Sequence, residues 1–323
     1  MPSPRTFPVL PADRHADIEA ALNAAFCTAE LDGVTPLTGG LSGAGVYRIR
    51  VGGVPYVMRI EGARDAFRDP HRAYACMRIA ADAMVAPRVR HADPEAGIAI
   101  FEHIESQPLE WGFPGGREAL VVELAQTVRT LHEGPAFPPL IDYLDGLEAM
   151  AGQVRASGLV PAAVLDPALA RHAATARAWR ALPPELVASH NDLNPRNILH
   201  DGRRLWLVDW DAAFLADRWF DLAALANVFA RAPDEEALLL KTYLGAPPQA
   251  ADHARLGLAR RINHLFYALA FLNAAAAERP GAVAPGGDAA DFVALHEALG
   301  EGRPMLDTWE GRVAYGLARL AAV

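Results

Sequence analysis

The sequence predicts an α+β chain of two lobes: a small β-rich N-terminal lobe (residues 1–104) and a larger, mostly helical C-terminal lobe (residues 105–323). Three observations carry this reading. The chain has 323 residues, enough for about two domains of roughly 150 residues each. Most of the strand-like runs lie before residue 105, broken by glycine pairs. After residue 117 the apolar residues recur mainly at helical spacing.

Residues 14–27 predict a short helix. Residues 38–45 (TGGLSGAG) are glycine-rich and lead into a strand, 46–51. Gly52 and Gly53 make a turn, and 55–60 return as a second strand, the pattern of a β-hairpin. Residues 70–85 suit a helix between Pro70 and Pro87. Residues 96–104 form an apolar strand, and 106–117, rich in glycine and proline, a loop. The spacing of Leu120, Leu124, Val128 and Leu131 predicts a helix over 118–132. Further helices are expected over 162–181, 221–231, 234–243, 252–277 and 288–299. One β-like island, 186–210, interrupts them; its core is 197–200, an Asp201-Gly202 turn, and 204–209, a second hairpin.

Composition narrows the function. Hydrophobic residues make up 52% and charged residues 21%, which excludes a disordered chain. The net charge of −9 argues against a general nucleic-acid binder. Cys27 and Cys76 lack metal-ligand or disulfide-scaffold spacing and fit a reducing cytoplasm. The longest uncharged stretch of the helical part, 265–277, is shorter than the ~20 residues a membrane span needs. The first residues carry prolines and charges where a signal peptide would be apolar. A cytoplasmic protein without membrane or nucleic-acid partners is the expectation. Of 30 basic residues only Lys241 is a lysine.

The strongest chemical signal is His190-Asn191-Asp192-Leu193-Asn194-Pro195-Arg196-Asn197, with Asp209 after the second hairpin. Asp192 and Asn197 have the spacing of a phosphoryl-transfer loop, H-x-D-x-x-x-x-N. That chemistry needs a carboxylate beside the acceptor hydroxyl to orient it and take its proton. It also needs an amide oxygen and a second carboxylate to hold Mg²⁺ against the triphosphate. The hairpin between Asn197 and Asp209 returns the chain so that these two can converge. His190 is expected to brace the loop.

These residues, with Val208-Asp209-Trp210-Asp211, Asp217, Asp221-Leu222-Ala223 and Leu131-His132, resemble the aminoglycoside phosphotransferase and choline kinase superfamily, which has the bilobal protein-kinase-like fold. The resemblance covers roughly residues 36–275. It implies that Asp192 is the catalytic base, that Asn197 and Asp209 are Mg²⁺ ligands, and that Asp221 is a structural acid. It makes Phe101, Glu102, His103 and Ile104 a hinge whose backbone pairs with adenine. Gly39, Gly40 and Gly43 would cover the phosphates of ATP, since backbone N–H groups must approach the anion closely. Arg59 stands where a kinase places its phosphate-gripping lysine, and choline-kinase-like members carry arginine there. Arginine keeps the charge and can bind phosphate bidentately. The glutamate expected on the next helix is absent: residues 63–85 contain none, Ala73 and Tyr74 lie near its place, and Asp65, Asp69 or Asp82 are the candidate substitutes.

The resemblance leans to the choline/ethanolamine kinase-like branch, implying transfer of the γ-phosphate of ATP to a hydroxyl of a small amine-bearing molecule. Trp210, Trp219, Phe220, Tyr267, Phe271 and Trp309 are candidates for an aromatic cage, and Asp211 and Asp217 for acidic partners of a cationic acceptor. The alternatives are an aminoglycoside-type antibiotic phosphotransferase, a catalytically impaired nucleotide-binding pseudokinase, and a protein kinase. Against the last, Trp210-Asp211 replaces Phe-Gly after Asp209.

Overall fold

The computed structural model describes residues 9–37, 43–65, 67–109, 113–230, 232–285, 292, 294–295 and 306–323. The chain divides into two compact units. One comprises the residues up to Pro138 together with Ala188–Leu215, the other Pro139–Val187 together with Ala216–Val323. Residue 104, where the sequence analysis ends the first lobe, lies inside the first unit.

The first unit opens with helix α1 (His15–Phe26) and a five-stranded antiparallel sheet: β1 (Gly33–Pro36), β2 (Gly45–Val51), β3 (Val54–Ile60), β4 (Val89–Asp93) and β5 (Ile98–Glu102), in the order β1-β2-β3-β5-β4. Gly52 and Gly53 have φ of 58° and 77°. Two positive φ angles are what a two-residue hairpin turn requires, and glycine adopts them without a Cβ penalty. Ile18, Ala21 and Leu22 of α1 share one helical face and bury it against Ile49, Tyr56, Met58, Ile98 and Ile100 of the sheet. Helix α2 (Pro70–Asp82) starts at Asp69, whose carboxylate accepts from His71 N at 3.0 Å, with Pro70 at the first helical position. Helix α3 (Gly116–His132) buries Leu120, Leu124, Val128 and Leu131, the expected face.

The second expected hairpin belongs to the same unit. β7 (Ile198–His200) pairs antiparallel with β8 (Leu205–Leu207), and Asp201 Oδ1 accepts from Arg203 N and Arg204 N in the turn. Leu207 N donates to Val85 O at 2.8 Å and Gln107 N to His200 O at 2.7 Å. The chain enters and leaves this segment within β6 (Leu186–Ser189) and β9 (Phe214–Asp217).

The second unit is helical: α4 (Tyr143–Ser157), α5 (Ala162–Arg180), α6 (Arg218–Val228), α7 (Pro233–Leu244), α8 (Ala250–Glu278) and α9 (Trp309–Ala321). The 29-residue α8 packs against α4, α5, α6 and α9. Gly316 lets α9 approach it closely, since a Cβ there would meet Leu272 Cγ at 2.7 Å.

The strands β1, β4 and β9 and the helices α4 and α9 are additional to those expected. The edge strands β1 and β4 are short, and β4 (VRHAD) is mostly polar. In α4, Gly146 and Gly152 dilute the helical pattern. The helix forms because Asp142 caps Leu144 N and Asp145 N, and because Leu144, Leu147, Ala151 and Val154 are buried together. The helix expected over 288–299 lies largely outside the described residues. No helix among the described residues is long and apolar enough to cross a membrane.

Candidate active site

The candidate base, metal ligands, phosphate-gripping arginine and hinge all lie in the first unit, whereas Asp217, Asp221 and most of the candidate cage aromatics lie in the second. Arg59 sits in the middle of the sheet, paired with Val46 on β2 and Ala99 on β5. Its guanidinium meets three carboxylates. Nε donates to Glu61 Oε1 at 2.7 Å and Nη2 to Glu61 Oε2 at 3.4 Å. Nη1 donates to Asp209 Oδ1 at 3.3 Å and Nη2 to Asp211 Oδ2 at 2.5 Å. Burial alone would lower the Arg59 pKa, but the charges of Asp211, Glu61 and Asp209 outweigh it and hold it above the ordinary arginine value. The helix after β3 contributes a hydroxyl: Tyr74 Oη donates to Glu61 Oε1 at 3.1 Å. Burial first, then the Glu61 charge, raises the Tyr74 pKa, which keeps the phenol a donor.

The loop from His190 to Asn197 is tied to itself and to the Asp209 segment. His190 is fully buried. Its Nδ1 accepts from Asp192 N at 3.3 Å, so Nε2 carries the proton and donates to Val208 O at 3.0 Å. Its ring lies 4.6 Å from that of Trp210. Asn191 adopts φ 62°, a left-handed conformation that asparagine tolerates, and its amide donates to Ser189 O and Ala212 O. Asp192 Oδ1 accepts from Asn194 Nδ2 and Oδ2 from Asn197 Nδ2, each at 3.0 Å. Asn197 Nδ2 also donates to Asp192 O, so these bonds use the amide nitrogen and not the acceptor Oδ1. Val208 N donates to Asn197 O at 3.0 Å, so Asp209 follows directly on the residue bonded to Asn197. Asp209 itself has φ 66°.

Arg72 of α2 fixes the other side of this segment. It is buried, and its guanidinium donates to Asp211 O, Ala213 O and Phe67 O. Burial lowers its pKa. A cavity of ≈ 40 Å³ lies beside Arg59, lined by Ala73, Tyr74, Met77, Phe101 and Asp209 among others.

Among the described residues, no group of three or more His, Cys, Asp or Glu side chains could hold a metal ion. Yet carboxylates outnumber cations around Arg59. Burial and then the Asp211 charge raise the Asp209 pKa, with Arg59 opposing them. A divalent cation that takes only one carboxylate and one amide oxygen from protein, and the rest from phosphate and water, fits this excess charge.

Phe101 and Glu102 end β5, and His103 and Ile104 leave the sheet after it. Gly39 and Gly40 lie outside the described residues. Gly43 has φ 74°, and its carbonyl oxygen is so close to Gly62 that a Cβ on Gly62 would meet it at 2.8 Å.

Other expectations are corrected. Trp210, Trp219, Phe220, Tyr267 and Trp309 are all buried core residues. Phe220 stacks on Tyr143 and Trp179, and Trp309 Nε1 donates to Ala275 O, so these rings pack helices. Asp211 serves Arg59, while Asp217 caps α6 at Trp219 N and pairs with Arg255 at 2.8 Å. Asp221 is fully buried in α6. Three residues were missed: Glu61, Arg72 and the hydroxyl of Tyr74. Glu61 could have been found, because residues two apart on an extended strand share a face.

The chain matches the phosphotransferase enzyme family (APH) over residues 33–256. A search of curated proteins gave no match. Among solved structures it is similar to a choline/ethanolamine kinase family protein from Mesorhizobium loti (22% identity, TM-score 0.66, covering 94% of this chain and 99% of that one). It is also similar to choline kinase from Streptococcus pneumoniae (16% identity, TM-score 0.67, covering 96% and 100%). A spectinomycin phosphotransferase in complex with ADP and spectinomycin overlaps less well (14% identity, TM-score 0.56, covering 94% and 98%). At these identities the likeness is one of fold, the bilobal protein-kinase-like fold. With the family match spanning more than half of its length, the chain belongs to the phosphotransferase enzyme family.

Proposed function

We propose that this chain moves the γ-phosphate of ATP to a hydroxyl of a small, amine-bearing acceptor. The observation that carries the reading is the joining of Asp192, Asn197 and Asp209 through one hydrogen-bonded loop, with Arg59 bonded to Asp209. Asp192 orients the acceptor hydroxyl and takes its proton. Asn194 and Asn197 hold one carboxylate oxygen each, which fixes the orientation of the base before substrate arrives. His190 braces the loop from below. Asn197 Oδ1 and Asp209 would hold Mg²⁺, whose charge offsets that of the phosphate oxygens. Arg59 grips the phosphates, Gly39, Gly40 and Gly43 cover them, and the backbone of Phe101, Glu102, His103 and Ile104 pairs with adenine. Transfer is loose, so such positioning and electrostatics supply most of the catalysis.

The choline-kinase-like branch is favoured by Arg59 in place of lysine, and choline and ethanolamine kinases stand among the solved structures of similar fold. The free cysteines Cys27 and Cys76 fit a reducing, cytoplasmic setting. The test has two parts. Calorimetric titration should show Mg·ATP binding, and a screen of choline, ethanolamine, thiamine and aminoglycosides should show Mg²⁺-dependent ATP consumption with an amino alcohol. Failure to bind Mg·ATP would overturn the reading, and consumption with aminoglycosides alone would move the chain to the antibiotic branch.

A further inference from the structure

The acids of residues 63–85 do not serve Arg59. Asp65 pairs with Arg68 at 2.5 Å, Asp69 caps α2, and Asp82 is exposed. Ala73, near the place of the missing helix glutamate, carries only a methyl group and lines the cavity beside Arg59. We propose that Glu61, steered by the Tyr74 hydroxyl, is the positioning carboxylate of Arg59, so that the strand supplies the acid which the helix lacks. This inference rests on the nucleotide-binding reading above.

Three features support it. First, Glu61 continues the sheet by one residue, its N donating to Gly97 O at 2.8 Å, so it emerges on the face of Arg59. Second, it engages the Nε–Nη2 edge of the guanidinium with both oxygens, a fork that fixes the plane of the group. Asp209 accepts from Nη1 at 3.3 Å, longer than the 2.7 Å bond from Nε to Glu61, and is the partner suited to yield to a phosphate oxygen. Third, the side chains of Arg59 and Glu61 are each only 11% exposed, so water screens the pair little. Without Glu61 the guanidinium would lean on Asp209 and Asp211, and it would compete for the carboxylate assigned to the metal.

A positioning residue acts through its partner, so its effect must vanish when the partner is gone. Mg·ATP affinity is measured by calorimetry for the parent chain, Arg59→Ala, Glu61→Gln, and the double variant. Glu61→Gln should weaken binding about ten-fold, the low end of the loss typical for a supporting residue. In the Arg59→Ala background the same change should add less than about two-fold, because coupled residues are not additive. Tyr74→Phe, a smaller change that keeps the ring in place, should weaken binding about three-fold and be equally silent without Arg59. If Glu61→Gln and Tyr74→Phe bind as the parent does, or if their losses persist in the Arg59→Ala background, the inference fails. If the parent itself binds no Mg·ATP, the functional reading fails and takes this inference with it.

Discussion

Replacing Asp192 by asparagine separates the two jobs proposed for this residue. In the structure its two carboxylate oxygens accept one N–H each, from Asn194 and Asn197. An asparagine offers one oxygen and one NH₂, so one of those bonds becomes donor against donor. Losing a hydrogen bond to a charged group costs about 1.5–3 kcal/mol, which should appear as a lower urea midpoint. Loss of the proton acceptor should cut kcat by at least ~100-fold. Mg·ATP affinity should change less than about ten-fold, since Arg59, the hinge backbone and Asp209 are untouched. The control is Asn194→Ala. It removes the bond to Oδ1 and the cap on Arg196 N but leaves the carboxylate in place. It should destabilise the loop comparably while lowering kcat less than about ten-fold. Turnover is followed by ADP release with the acceptor found in the screen. The reasoning is refuted if Asn194→Ala loses turnover as fully as Asp192→Asn, because loop position would then explain both. It is equally refuted if Asp192→Asn loses Mg·ATP binding and turnover together in a folded chain.

Further outcomes follow from the same site and from the second unit. Asp209→Asn should abolish Mg²⁺-dependent turnover, yet melt no lower than the parent without metal, because burial and Asp211 already disfavour its ionised form. Arg72→Met removes the donor to the buried carbonyl of Ala213 and to Asp211 O, and should cost about 3 kcal/mol in urea unfolding. His264 of α8 has its pKa pressed down to about 3, by burial first and then by Arg319 and Arg260. The unfolded chain therefore takes up this proton first. The stabilisation is complete above pH 6.5 and is lost as pH falls from there toward 3, at about 1.4 kcal/mol per pH unit. Unfolding at pH 7 and pH 5 should show that slope in the parent and a flatter one in His264→Gln.

How much of this was legible beforehand depended on whether a feature is local. Gly52-Gly53 and Asp201-Gly202 announce their hairpins, because a turn's requirements are met within a few residues. The buried face of α3 and the proline-bounded span of α2 are equally plain. The fixed spacing of Asp192 and Asn197 named the loop, and the Asp201 turn brought Asp209 back to it. Helix α4 was hidden because its stability comes from burial of Leu147, Ala151 and Val154, which two glycines dilute in the sequence. The aromatic residues misled for the opposite reason. Trp219, Phe220 and Tyr267 suit a cage and a core equally well, and only packing decides. The resemblance points to the helix for a partner of Arg59, whereas the structure pairs it with a glutamate two residues along the strand. Arg72 carried no signal at all, since it bonds to carbonyls and any sequence supplies those.

An arginine at position 59 leaves the proposed nucleotide site without a primary amine on its central strand. Reagents that acylate amines have nothing to modify there, and the side chains of the whole chain offer them one target, Lys241, exposed on α7 in the second unit. A fluorophore or a biotin attached at that position gives a conjugate of defined stoichiometry that leaves Arg59 chemically intact.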